Sequence, residues 1–173
     1  NNPQGACPAC DGLGMHETVD VNKVILKDMS INDGAIVVYN TATSTYYPSL
    51  VKCACEHFGI PMDIPFKKLT QEQQNIVLYG NDVEEIKHTY INDEGVKRSR
   101  IIYFEGVCNN ILRRYQSGMT KATREAMAKY IKEDECQSCH GQRLKPEILS
   151  VYVAGKNIAE ICEMSIRDSY DFF

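Results

Sequence analysis

The sequence predicts an α+β fold: an insertion lobe of several helices and one β-hairpin, carried on a small stem. Three observations predict it. Helical and β-type stretches follow one another without the regular βαβ rhythm of a parallel sheet. Two matching cysteine motifs, CPACDGLG (Cys7 to Gly14) and CQSCHGQR (Cys136 to Arg143), stand near the two ends of the 173 residues. The chain is 43% hydrophobic and 24% charged, which places it with folded globular proteins and not with disordered ones.

The elements follow in order. Residues 1–14 are rich in Gly, Pro and Cys and read as a loop-like knuckle. VNKVIL (Val21 to Leu26) reads as a strand or a packed extended segment, and GAIVVY (Gly34 to Tyr39) as a better strand because of its β-branched run. Pro48 opens a helix through LVKCACEHF, with Leu50, Ala54 and Phe58 at helical spacing and Gly59 and Pro61 as its stop. LTQEQQNIVLYG is a second helix. Thr70 and Gln73 form its capping box, Ile76 and Val77 its buried side, and Gly80 its end. In IKHTYINDEGVKRSRIIYF two alternating stretches flank Asn92-Asp93-Glu94-Gly95, strong turn chemistry, so an antiparallel hairpin is expected. Ile86, His88 and Tyr90 then share one face of its first strand; Val96, Arg98 and Arg100 share one face of its second.

VCNNILRRYQ is helical, with Val107, Ile111 and Tyr115 on one side and Gly118 as the break. Thr120 caps a further helix in which Ala122, Ala126, Met127 and Tyr130 repeat every three to four residues. After the second cysteine pair, Ile148 to Val153 reads as a strand, Ala154 to Asn157 as a turn and NIAEIC as a short helix. Ser165 and Asp168 read as the capping box of the last helix.

A net charge of −4 argues against a dedicated nucleic-acid coat, though not against a local basic face. No apolar run approaches a membrane span, and nothing resembles a signal peptide. Asn1 is not a start methionine, and the chain reads as an excised piece of a longer protein. Eight cysteines without a secretory signal, four of them in C-x-x-C pairs, favour metal over a disulfide framework and fit a reducing, cytoplasmic compartment. Cys53, Cys55, Cys108 and Cys162 read as small buried hydrophobes.

A C-x-x-C turn fills half of a tetrahedral zinc site. The two pairs carry the same trailing glycine, Gly12 and Gly141, which leaves room for backbone N–H groups to point at sulfur. The expectation is that Cys7, Cys10, Cys136 and Cys139 hold one structural Zn²⁺, with Arg143 and Lys145 near enough to balance its excess negative charge. Such an ion closes a loop of about 125 residues, whose entropic cost rises slowly with length. A structural zinc offsets it by about 10 kcal/mol. The stem is then residues 1–16 and 132–173, and the insertion 17–131. Free or redox-active thiols are the alternative reading, and His16 or His140 the alternative ligands. Four cysteines leave no open coordination position, so the site reads as structural.

With the knuckles placed, NNPQGACPACDGLG, FEGVCNNILRRY (Phe104 to Tyr115) and CQSCHGQRLKPEILSVYVAGKNIAEICEMSI together resemble the UvrA family of the ABC excinuclease, in the same order and over the whole chain. The resemblance implies a dimeric ABC-class ATPase of bacterial nucleotide excision repair that finds damaged DNA and passes it to UvrB. It implies that this stretch is the insertion domain of the first signature domain with its zinc-bearing flanks, and that Cys7, Cys10, Cys136 and Cys139 match the family's cysteines. The sequence holds no G-x-x-x-x-G-K-[ST] loop and no LSGG-type signature, so ATP and Mg²⁺ belong to the parent protein and this stretch is expected to be non-catalytic. UvrB docking is expected upstream.

The candidate DNA contacts are Lys97, Arg98 and Arg100 on the hairpin, Arg113 and Arg114 at the end of one helix, and Lys121 and Arg124 at the start of the next. Contact through them is to phosphates, salt-dependent and free of base code, which suits damage in any sequence. Tyr90, Tyr103 and Tyr115 are candidates for stacking on exposed bases. Asp93, Glu94, Glu105 and Glu125 are interleaved and mute the field. Two rival readings remain. A DnaJ-type protein-binding zinc module uses C-x-x-C-x-G-x-G repeats, which CPACDGLG matches and CQSCHGQR does not. A structural spacer would have no DNA affinity.

Overall fold

The computed structural model describes residues 4–40, 45–91, 95–118 and 120–173. The chain divides into two compact units, residues 1–18 with 133–173, and residues 19–132.

The first unit begins with the N-terminal knuckle and strand β1 (Met15–Val19), which pairs with β4 (Ile131–Glu135). The pair is antiparallel: the Cys136 N–H donates to the Gly14 carbonyl at one end, and the Asp20 N–H to the Tyr130 carbonyl at the other. Neither strand is legible beforehand, because each is short and four of the five residues of β4 are charged. After the second knuckle come α7 (Pro146–Leu149), the two-residue strands β5 (Tyr152–Val153) and β6 (Lys156–Asn157), α8 (Ile158–Cys162) and α9 (Ile166–Phe172). Of the strand expected over Ile148–Val153 only Tyr152–Val153 forms; Ile148 and Leu149 end α7, which starts at Pro146, a first-turn position that suits its fixed φ. The short helix expected over NIAEIC forms, and Asn157 and Glu160 give it a full capping box. At α9 the Ser165 hydroxyl accepts from the Asp168 N–H. Among the described residues, the buried apolar side chains of this unit are Cys7, Cys10, Cys136, Cys139 and Ala159.

The second unit has an ordinary hydrophobic core. The two early strand expectations fail here. Val21–Val24 forms a helical turn (α1), capped by Asp20, and Val37–Asn40 forms another (α2). What survives of the strands is one bridge, Ile25 to Ile36. Tertiary burial of Val24, Ile25, Ala35, Ile36 and Val38 outweighs their β propensity. Helix α3 (Tyr46–His57) begins two residues before Pro48, whose missing N–H falls harmlessly in the first turn. A 3₁₀ turn, Phe66–Lys68, precedes α4 (Gln71–Tyr79), where the Thr70–Gln73 capping box forms in full.

The hairpin follows: β2 (Asn81–Ile91) and β3 (Lys97–Phe104), antiparallel. Asn92–Glu94 of its expected turn lie outside the described residues; Gly95 has φ +76°. Helix α3 packs on β2, against the face that carries Ile86, His88 and Tyr90. Helices α5 (Val107–Gln116) and α6 (Lys121–Ala128) complete the unit. Val107 and Ile111 are buried as expected, whereas Ala122 and Ala126 are exposed and Met127 and Tyr130 alone anchor α6. Of the lone cysteines, Cys55 and Cys108 are buried, Cys53 is half-buried and Cys162 is exposed, so the expectation fails for Cys162.

One close approach sets how α4 and α5 meet. Gly80 ends α4 at φ +86° and Gly106 precedes α5 at φ +82°. A Cβ on Gly106 would lie 2.3 Å from the Gly80 nitrogen, and one on Gly80 2.1 Å from the Phe104 carbonyl oxygen. Gly106→Ala should therefore cost about 3 kcal/mol or more, because backbone must move. Gly59→Ala, also at positive φ but with nothing within 4 Å, should cost only about 1 kcal/mol. Urea unfolding of the two variants checks the contrast.

Candidate metal centre and basic hairpin

The four knuckle sulfurs converge. Cys7, Cys10, Cys136 and Cys139 Sγ all lie within 4.8 Å of one another, and all four residues are buried. The Cys10 and Cys139 sulfurs are 3.7 Å apart. A disulfide would need about 2.05 Å. The edge of a tetrahedron with metal–sulfur bonds of about 2.3 Å is about 3.8 Å, so this donor set fits Zn²⁺. Among the described residues it is the only such cluster of possible metal ligands found. His140 is exposed beside the Glu135 carboxylate, 3.7 Å away, and His16 is half-buried on β1; neither joins the sulfurs.

The knuckles are related by a local twofold pattern of hydrogen bonds. The Cys7 N–H donates to the Arg143 carbonyl at 2.9 Å, and the Cys136 N–H to the Gly14 carbonyl at 3.0 Å. Within each knuckle the residue four after the second cysteine donates its N–H to that cysteine's sulfur: Gly14 to Cys10 at 3.1 Å, Arg143 to Cys139 at 3.3 Å. The sulfur donors are thus Gly14 and Arg143. Gly12 at φ +78° and Gly141 at φ +76° make the turns that bring those donors round. Sequence reasoning missed this role, although the repeat of the same spacing in both motifs was its signal. Arg143 adopts φ +68° where its counterpart Gly14 has +81°, so its backbone follows the glycine's path.

The thiols do not titrate alike. Burial acts to raise Cys7, but hydrogen bonds from the Ala9 and Cys10 backbone and from Ser138 outweigh it, and the group falls to about 7. Cys139 is pushed up to about 11 by burial and by the neighbouring thiols, against the Arg143 N–H. Four sulfurs in one site release protons in sequence, each loss opposing the next.

On the other unit, Lys97, Arg98 and Arg100 are exposed along β3. Arg98 stands opposite Tyr90 and Arg100 opposite His88. The remaining candidates are less free. Arg113 makes a two-pronged contact with Glu105, at 2.9 and 2.8 Å, and Asn110 donates to the same carboxylate at 2.8 Å. The Arg114 guanidinium lies over the Tyr47 ring, 4.8 Å from its centre. Lys121 pairs with Glu125 at 3.6 Å, and Arg124 is exposed. Of the tyrosines, Tyr90 and Tyr115 are half-buried and Tyr103 is exposed.

His88 occupies the seam between α3 and the hairpin. Its Nε2 meets the Ser49 hydroxyl at 2.9 Å, the Tyr46 ring packs edge-on and the Tyr90 ring lies stacked beside it. Burial, then the charge of Arg100, holds its pKa below the usual 6.5.

Residues 20–129 match the family model for the UvrA DNA-binding domain. The chain belongs to the UvrA DNA-binding domain family. It is 48% identical, over its whole length, to UvrABC system protein A of Staphylococcus aureus strain Mu50, and 46% identical to that of Staphylococcus epidermidis strain RP62A. It spans 18% of the length of these relatives. The crystal structure of UvrA2 from Deinococcus radiodurans superposes with a TM-score of 0.72 over 99% of this chain and 22% of that one, at 22% identity, a shared fold. The UvrA resemblance is thus upheld, and the DnaJ-type reading is not. No helix among the described residues is long and apolar enough to cross a membrane.

Two outcomes are expected. Cys136→Ser should release bound metal and lower the unfolding midpoint of residues 1–18 and 133–173, while the core of 19–132 keeps its hydrogen-exchange protection. Metal analysis with exchange mass spectrometry reads both. For His88, the folded pKa lies below the unfolded one, so the unfolded chain binds the extra proton. The stability that neutral His88 supports is complete above pH 6.5 and is lost as pH falls below 6.5 towards the native pKa. Urea unfolding at about pH 7.5 and 5.5 should show a smaller loss in His88→Gln than in the parent chain.

Proposed function

We propose that this chain is the DNA-engaging insertion of a UvrA-type damage sensor, held on a zinc-bearing stem. The observation that carries the reading is the coincidence of two boundaries: the family match over residues 20–129 and the compact unit over 19–132. On this reading residues 17–131 are the insertion and residues 1–16 and 132–173 belong to the signature domain that carries it. Cys7, Cys10, Cys136 and Cys139 hold Zn²⁺, which supplies a fixed positive centre that compensates thiolate charge and joins two distant stretches of chain. Gly14 and Arg143 orient the sulfurs through their N–H groups.

DNA contact falls to the exposed cations of β3: Lys97, Arg98 and Arg100. Arg124 adds to them. Arg113 and Arg114 serve chiefly to hold α5 to its neighbours, through Glu105 and the Tyr47 ring, and Lys121 pairs with Glu125 one turn on within α6. ATP hydrolysis, dimer formation and UvrB binding belong to other parts of the parent protein, in the bacterial cytoplasm.

Fluorescence anisotropy with a labelled duplex tests this. The parent chain should bind with a steep loss of affinity as salt rises. Lys97→Glu, Arg98→Glu and Arg100→Glu together should abolish measurable binding, and the three alanine variants together should reduce the salt slope by about 3. Binding by the charge-reversed chain equal to that of the parent would refute the assignment.

A further inference from the structure

The register divides the side chains of the hairpin between two faces. Residues directly opposite one another share a face, so Arg98 with Tyr90 and Arg100 with His88 lie on the side against which α3 packs. The outer face is formed by Glu85 with Tyr103, Lys87 with Ile101, Thr89 with Ser99, and Ile91 with Lys97. It is open: Ile101 is 69% exposed, Ile91 64% and Tyr103 52%. A solvated strand face ordinarily carries polar side chains, and three large apolar groups on one short ribbon mark an interaction surface. None of the ion pairs formed among the described residues uses Glu85, Lys87 or Lys97. One carboxylate to two lysines is close to a balance, which suits a protein better than a polyanion.

We propose that this outer face binds a second copy of the same chain, ribbon against ribbon, about a twofold axis. The order of side chains along the ribbon selects that occupant. One end carries the acid, Glu85, beside the Tyr103 ring, and the other end carries the base, Lys97, beside Ile91. The small hydroxyls of Thr89 and Ser99, 3.4 Å apart, lie between. A twofold axis between the two faces, running across the strands, sets the acidic end of each ribbon over the basic end of the other. Tyr103 then lies over the partner's Lys97, a cation on an aromatic face, and diagonal to the partner's Ile91. Glu85 lies over the partner's Ile91 and diagonal to the partner's Lys97. Near the axis the two Ile101 side chains approach over the small Thr89 and Ser99, while Lys87 extends to the solvated rim. Packed sheet faces stand about 10 Å apart, a gap that Glu, Lys and Tyr side chains bridge. Turning one ribbon end for end would bring Lys97 beside the partner's Lys97 and Glu85 beside the partner's Glu85, so like charges select against that register. Eight residues a side, against about 20–30 in a standard interface, make the dimer weak and reversible, with a Kd of about 100 μM. The chain is then monomeric in a dilute DNA-binding assay, where Lys97 stays available. Arg98 and Arg100, on the face turned away, stay open in the dimer.

Sedimentation equilibrium on the chain between about 10 μM and about 1 mM tests this, and a monomer–dimer equilibrium is expected. Ile101→Ser with Tyr103→Ser, both at exposed positions, should keep the urea midpoint and weaken the dimer more than about tenfold. Glu85→Lys and Lys97→Glu should each weaken it about tenfold. Combined in one chain, the two reversals should restore it to within about threefold, because the pair re-forms with its signs exchanged. Damage to folding would give no such rescue. Arg98→Glu with Arg100→Glu should leave the dimer unchanged while duplex binding falls, so this proposal and the DNA-engaging reading fail separately. A chain that stays monomeric at about 1 mM overturns the proposal. So does a dimer that is indifferent to the serine pair, or one lost on either charge reversal and not recovered on combining them.

Discussion

Four sulfurs buried within one small space form the constraint on which the first unit depends. That unit has almost no apolar core among its described residues, so hydrophobic burial cannot organise it. What it has instead is a reciprocal set of backbone bonds, Cys7 to Arg143 and Cys136 to Gly14, that bring two distant knuckles together sulfur to sulfur. The split of the thiols, Cys7 near 7 and Cys139 near 11, expresses the same condition from the side of charge. The site cannot hold four thiolates without a compensating cation.

The second unit solves a different problem. Its core is conventional, and its unusual feature is one crowded joint where Gly80 and Gly106 let the backbones of two helix ends touch. That joint fixes where β3 ends and α5 begins. The α3 helix then covers one face of the hairpin with Tyr46, which packs against both His88 and Tyr90. The other face is left uncovered.

The charge pattern follows from this division. The unit's arginines do two kinds of work, and the partners decide which. Arg113 is held by Glu105 and Arg114 by the Tyr47 ring, so they knit α5 to its surroundings. Arg98 and Arg100 are exposed and have no such partner among the described residues, although they stand opposite Tyr90 and His88 on the face that α3 packs against.

Much of this was legible in the residue order, and the reason is locality. The capping box at Thr70 and Gln73, the alternation that makes the hairpin, and the C-x-x-C spacing with its glycine all act over a few residues, so their chemistry can be read along the chain. The pairing of the two knuckles was legible as well, because half-sites of equal spacing need completion. The failures were of the opposite kind. Val21–Val24 and Val37–Asn40 carry β-branched residues yet turn as helix, because the core they enter lies in distant stretches of chain. The short strands β1 and β4 exist only through each other. Which arginines are occupied, and which side of the ribbon remains open, depended on packing between residues far apart in sequence, and no local pattern carries that information.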